Sequence, residues 1–108
     1  MGDILVKIIG ICDKDTAVGL RLAGVKELYV PEDDATKIWN NLTYREDIGI
    51  VFINEKIAKD IGKTLKDYRL INNVPIVLEI PDKKGRMEDH MDFVSHLVKK
   101  AVGVEVNK

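Results

Sequence analysis

Two runs of apolar residues break the mixed pattern of the chain: Ile4 to Ile11, interrupted only by Lys7 and Gly10, and Ile48 to Ile53. Both are short, rich in β-branched residues and without alternation. Such runs fit strands buried on both faces, at the centre of a parallel sheet. Between them the pattern changes period. Ala17, Val18, Leu20, Leu22 and Ala23 predict a short helix that Asp15 or Thr16 caps and Gly24 stops. Gly19, unfavourable inside a helix, predicts close packing on a neighbouring backbone. Val25 to Val30 reads as a second strand ended by Pro31, which serves as the first residue of the next helix. The acidic run Glu32, Asp33 and Asp34 reads as a solvated helix start. Ala35, Ile38, Trp39 and Leu42 form one helical face, with Trp39 as a core anchor.

After the second central run, Asn54 is expected to cap a helix whose buried stripe is Ile57, Ala58, Ile61 and Leu65, closed by Tyr68 and Leu70. Asn72 and Asn73 make a turn. Val74 to Ile80 is the fourth strand; Pro75 and Glu79 place it at an edge. Four strands alternating with helices give βαβαβαβ with right-handed crossovers. With the first and third strands central, the expected fold is α/β: a four-stranded parallel sheet of order 2-1-3-4 with helices on both faces. That is a receiver-like or Rossmann-like three-layer arrangement.

Residues 1–81 read as this core domain, and 82–108 as a polar hinge, a C-terminal helix and a tail. In the last helix Met87, Met91, Val94, Val98 and Ala101 recur at spacings of four and three, and Phe93 and Leu97 add a second apolar ridge. Either this wide arc buries deeper in a small core, or one side serves a partner helix. Gly103 is expected to stop the helix before the short tail Val104–Val106.

Composition narrows the function. The 108 residues suffice for one domain, and a net charge of −1 with 6% aromatics leaves neither the basic face nor the stacking residues of a nucleic-acid binder. The single cysteine, Cys12, excludes an intrachain disulfide and suits a reducing compartment. The start of the chain lacks a signal peptide's basic region and cleavage site. No run approaches the roughly 20 apolar residues that span a bilayer, so direct membrane insertion is not expected.

The turn after the first strand, Gly10 to Asp15, is where chemistry would sit, and it fails four tests. It lacks G-x-G-x-x-G, and its acids would repel a pyrophosphate. No P-loop string exists. A phosphatase loop on Cys12 would need an arginine at position 18, where Val18 stands; Cys12 is a packing residue. A receiver domain would use Asp13 and Asp15 as its acidic pair and Lys83 as its lysine. It needs an aspartate at the end of the third strand, where Asn54 stands, and an amide cannot form the acyl phosphate. His90 and His96 lie six apart, not the three or four of a helical zinc pair, so they read as surface residues or partner contacts. No metal, cofactor or catalytic residue is expected, and the residues point to a binding or structural module.

Gly10, Asp13, Asp15, Thr16, Gly19, Arg21, Leu22, Ala23 and Gly24 resemble the N-terminal signature G-D-x-D-T-V-x-G-F-R-L-A-G of the F subunits of V/A-type rotary ATP synthases. Extra residues separate Gly10 from Asp13, Ala17 replaces the usual Val, and Leu20 the usual Phe. Two further motifs agree in order: Glu46 to Ile50 through Ile53-Asn54-Glu55, and Pro75 to Gly85. The tail Val98 to Gly103 resembles archaeal and bacterial members. The resemblance implies a non-catalytic central-stalk component. It would bind the coiled-coil D subunit, turn with it inside the ring of A and B subunits, and help couple ATP turnover or synthesis to H⁺ or Na⁺ movement. Such a protein works at the cytoplasmic side of the cell membrane, peripheral through its complex. From the last helix's stripe, the expected D-subunit contact is Met87, Met91, Val94, Val98 and Ala101, with Arg21 as a polar partner. The alternative is a stand-alone, degenerate receiver-like regulatory domain.

Overall fold

The two apolar runs are the two inner strands of the sheet. The computed structural model describes residues 7–106, with side chains as far as residue 102. Its elements are β1 (Lys7–Ile11), α1 (Lys14–Leu22), β2 (Glu27–Tyr29), α2 (Ala35–Leu42), β3 (Ile48–Asn54), α3 (Glu55–Ile61), α4 (Lys63–Ile71), β4 (Ile76–Ile80) and α5 (Met87–Val106). Residues 4–6 of the expected first strand lie outside the described residues. The sheet is parallel with order β2-β1-β3-β4, as the pattern predicts. Gly10 sits beside Phe52 and Ile11 beside Ile53, and Phe52 in turn beside Leu78.

Alternation along these strands divides the core in two. Ile9, Ile11, Val51, Ile53 and Val77 face α2, α3 and α4, where Trp39, Leu42, Ile61 and Leu65 cover them. Trp39 stacks edge-on against Tyr68 with ring centroids 5.3 Å apart. Ile50, Phe52 and Ile80 face the other way and pack with Ala17 and Leu20 of α1 and with Val94 and Val98 of α5. Helices therefore cover both faces. The helix beyond the polar connector supplies two buried valines to the second cluster, worth roughly 2 kcal/mol each. α5 thus shares a core with the sheet and α1.

Several boundaries differ from the sequence reading, each for a local reason. Asp13, not Asp15 or Thr16, caps α1: its side chain accepts from the Thr16 amide at 2.7 Å. Pro31 does not start α2. Asp34 captures the Thr36 amide at 3.0 Å, so the helix begins at Ala35. The expected single helix after β3 is two, broken where Gly62 adopts φ +65. Leu70 is exposed rather than closing the stripe, because it falls five residues after Leu65, off the buried face. Gly103 does not stop α5, which runs on to Val106. Gly24, at φ +105, ends α1 as expected.

At the N-terminal ends of the strands an ion cluster ties the sheet together. Arg45, in the loop before β3, bonds Asp47 through Nε at 2.9 Å and Nη2 at 2.8 Å, and also holds Glu27 of β2. Lys7 of β1 adds weaker contacts to both acids at 3.8 and 3.9 Å. The Arg45 guanidinium, helped by the Tyr29 hydroxyl, holds the Glu27 carboxyl below its ordinary 4.5, and Arg45 lowers Asp47 as well. A carboxyl whose pKa is lower folded than unfolded contributes stability above its unfolded value, and loses it as pH falls through the folded one. Acidification below about pH 4.5 is therefore expected to lower the melting temperature. Arg45→Met should lower it at neutral pH and flatten the acid limb. Thermal melts of both proteins from neutral pH to about pH 3 check this; parallel acid limbs would show that Arg45 is not the cause.

Candidate functional site

β1 and β3 end side by side, and the chain reverses its winding direction between them. In an open parallel sheet the crevice outside these ends is where ligands bind. Here it is filled by a chain of hydrogen bonds. Asn54, the last residue of β3, accepts from the Asp13 amide through Oδ1 at 2.7 Å and donates through Nδ2 to Thr16 Oγ1 at 3.1 Å. Thr16 Oγ1 lies 2.9 Å from His90 Nε2, which reaches in from α5. Thr16, Asn54 and His90 are all buried.

This revises two expectations. Asn54 stands at the N-cap of α3 as expected, but its side chain bonds the Asp13 amide beyond the end of β1 and makes no cap bond. His90 is neither a surface residue nor exposed to a partner, but a buried polar member of the fold. Its place is legible in the pattern: His90 stands four residues before Val94, on the same inward stripe. The six-residue spacing to His96 hides it, because that spacing tests only for a metal.

The crevice carries little reactive potential. Cys12 is fully buried, and burial pushes its thiol up to about 12, with Asp13 raising it further and Arg21 opposing. It is a protonated packing residue at neutral pH. Lys83 Nζ stands 3.9 Å from Asp15 Oδ2, a receiver-like pairing. At the end of β3, where a receiver carries its aspartate, stands the amide of Asn54, bonded to Asp13 and Thr16. Among the described residues, no three His, Cys, Asp or Glu side chains gather as they would around a metal ion.

The surface carries more. Of the six residues read from the sequence as a partner contact, Val94 and Val98 face the sheet and are buried. Met87, Met91 and Ala101 are half-buried beside them, and Arg21 is exposed on α1. The second ridge of α5 is divided: Phe93 is 42% exposed, whereas Leu97 is half-buried against the same core as Val94 and Val98. Four further apolar residues are exposed: Leu70 and Ile71 at the end of α4, Val74 in the turn after it and Ile76 at the start of the edge strand β4. Sequence pattern does not reveal their exposure, because each of these residues fits the interior of an element equally well.

A family model described as the ATP synthase (F/14-kDa) subunit matches residues 8–98. The chain belongs to this family of F subunits. It is 41% identical over 103 residues to the A-type ATP synthase F subunit of Methanocaldococcus jannaschii, covering 94% of this chain and 97% of that one. It is 38% identical over 109 residues to the A-type F subunit of Thermococcus onnurineus, covering 95% and 100%. The crystal structure of the V-type ATP synthase F subunit of Archaeoglobus fulgidus shares the fold, with a TM-score of 0.62 at 21% identity over 69% of this chain and 96% of that one. Membership of this family assigns the chain to an A/V-type ATP synthase, a complex of ATP synthesis and ion transport. Among the described residues no helix is long and apolar enough to cross a membrane.

Proposed function

We propose that this chain is the non-catalytic central-stalk component of its ATP synthase. It binds the coiled-coil D subunit and turns with it inside the ring of A and B subunits, at the cytoplasmic side of the cell membrane. There it helps couple ATP synthesis or hydrolysis to H⁺ or Na⁺ transport. The observation that carries this reading is the near full-length similarity to A-type F subunits. The filled crevice supports the non-catalytic part, since its polar groups bond one another. The half-open second ridge of α5 supports the helical partner.

The burial of α5 revises how the contact is drawn. Val94 and Val98 serve it by holding α5 in place, not by touching D. Phe93 and Leu97 become its apolar centre, with Met87, Met91, Ala101 and Arg21 at its margin. The test is affinity purification of the tagged chain from native membranes. Recovery of A, B and D subunits in one complex is expected. Purification of the chain with A and B but without D would overturn the D contact, and purification alone would overturn the stalk reading.

A further inference from the structure

The buried chain from His90 through Thr16 to Asn54 does something the apolar contacts cannot. We propose that it fixes the register of α5 on α1, acting as a polar lock that admits only one of several otherwise similar dockings. The stripe of α5 is nearly degenerate. A slip of four residues puts Val98 where Val94 was and Val102 where Val98 was. A slip of three puts Leu97 in place of Val94 and Ala101 in place of Val98. Each is one turn, about 5.4 Å of travel, exchanging one apolar side chain for another. Apolar burial is non-directional, so it separates such registers weakly.

His90 breaks the degeneracy. After such a slip, the position opposite Thr16 passes to Phe93 or Val94. Neither side chain can donate or accept a hydrogen bond. Thr16 Oγ1 already receives the Asn54 amide hydrogen. It also bonds His90 Nε2 at 2.9 Å, donating to that nitrogen or accepting from it according to the ring tautomer. In a slipped state this bond is lost, leaving Thr16 and the His90 ring each one partner short, which is disfavoured. A single buried polar residue setting the register of packed helices has the same physical basis in coiled coils. Gly19 supplies the ruler. A Cβ built there would lie 3.2 Å from Val94 Cβ and Cγ1, so α1 and α5 touch closely at this pair. The lock also decides where Phe93 and Leu97 are presented; that consequence rests on the D-subunit reading, whereas the register does not.

The test is NMR on the isotope-labelled full chain without partners, so it is independent of any failure of the D contact. Thr16→Val removes the hydroxyl and keeps the shape; Thr16→Ser keeps the hydroxyl. The wild type and Thr16→Ser should show one set of contacts from Gly19 to the Val94 methyls. Thr16→Val and His90→Phe should add contacts from Gly19 to residues one turn further along, Leu97 or Val98. Their α5 amides should exchange faster by on the order of tenfold while β3 amides are unchanged. A single unchanged Gly19–Val94 set in both variants overturns the proposal. So does loss of the β3 amides in both variants, which would make these residues part of global folding rather than a register lock.

Discussion

Aspartate in place of Val94 should undo the docking of α5, while aspartate in place of the adjacent Phe93 should leave the fold standing and remove binding to D. The two positions differ by one residue and by which way they face. Val94 is fully buried among Ile50, Phe52, Leu20 and Ile80, in contact range of Gly19. A carboxylate there has no partner, and an uncompensated buried charge costs at least about 3 kcal/mol. That is a large share of the roughly 5–15 kcal/mol that holds a domain together. Phe93 is 42% exposed, so aspartate there should change stability by only about 0.5 kcal/mol. As an aromatic anchor at a helical interface, its loss should cost about 2 kcal/mol or more of binding, on the order of thirtyfold. Circular dichroism melts of both variants and titration with the purified D subunit check the pair. If Val94→Asp melts like the wild type, α5 is not part of the core. If Phe93→Asp binds D unchanged, the contact lies elsewhere, and the exposed residues Leu70, Ile71, Val74 and Ile76 are the next to test.

The contrast between those two residues also shows what a sequence pattern can carry. The unbroken runs around Ile9 and Val51 identify the central strands, because burial on both faces leaves no other reading. Pro75 and Glu79 place β4 at the edge for an equally direct reason, the missing donor and the exposed charge. Trp39 is legible from three neighbours at helical spacing, and Gly19 from the cost of a glycine inside a helix. Periodicity cannot say which of two apolar ridges on α5 faces in. That depends on where α1 lies, and Gly19 meeting Val94 is a contact between residues far apart in sequence. The break at Gly62 is hidden because Ile57, Ala58, Ile61, Leu65 and Tyr68 keep one period straight through it. The polar chain is invisible for a third reason. Asn54, Thr16 and His90 each have a plausible local role as a cap or a surface residue, and only the tertiary fold brings them within hydrogen-bond distance. The Arg45 cluster escapes in the same way, since Glu27, Asp47 and Lys7 come from three different strands or their approaches.

Asn54→Ala should be the most damaging polar substitution in the crevice, at about 2–3 kcal/mol. Asn54 is 1% exposed and serves two partners at once, the Asp13 amide and Thr16 Oγ1. Removing its amide leaves the first N–H without its acceptor, so the turn that launches α1 loses its tie to β3. The Thr16 oxygen loses a donor but keeps His90 as a partner, which limits the damage on that side. For a domain of about 100 residues this predicts a fall in melting temperature on the order of 10 °C. Thr16→Val strikes the same chain from the middle, leaving both the Asn54 amide and the His90 ring short of a partner. The two substitutions should therefore not add. Once Thr16 is gone, the Asn54 amide has lost one of its two roles, and its removal should cost about 1 kcal/mol less than in the wild type. Denaturant unfolding of the wild type, both single variants and the double variant closes the cycle. Full additivity would mean that the Asn54–Thr16 bond contributes nothing of its own. The tie from β3 to the start of α1 would then rest on the Asp13–Asn54 bond alone, with Thr16 acting only through His90.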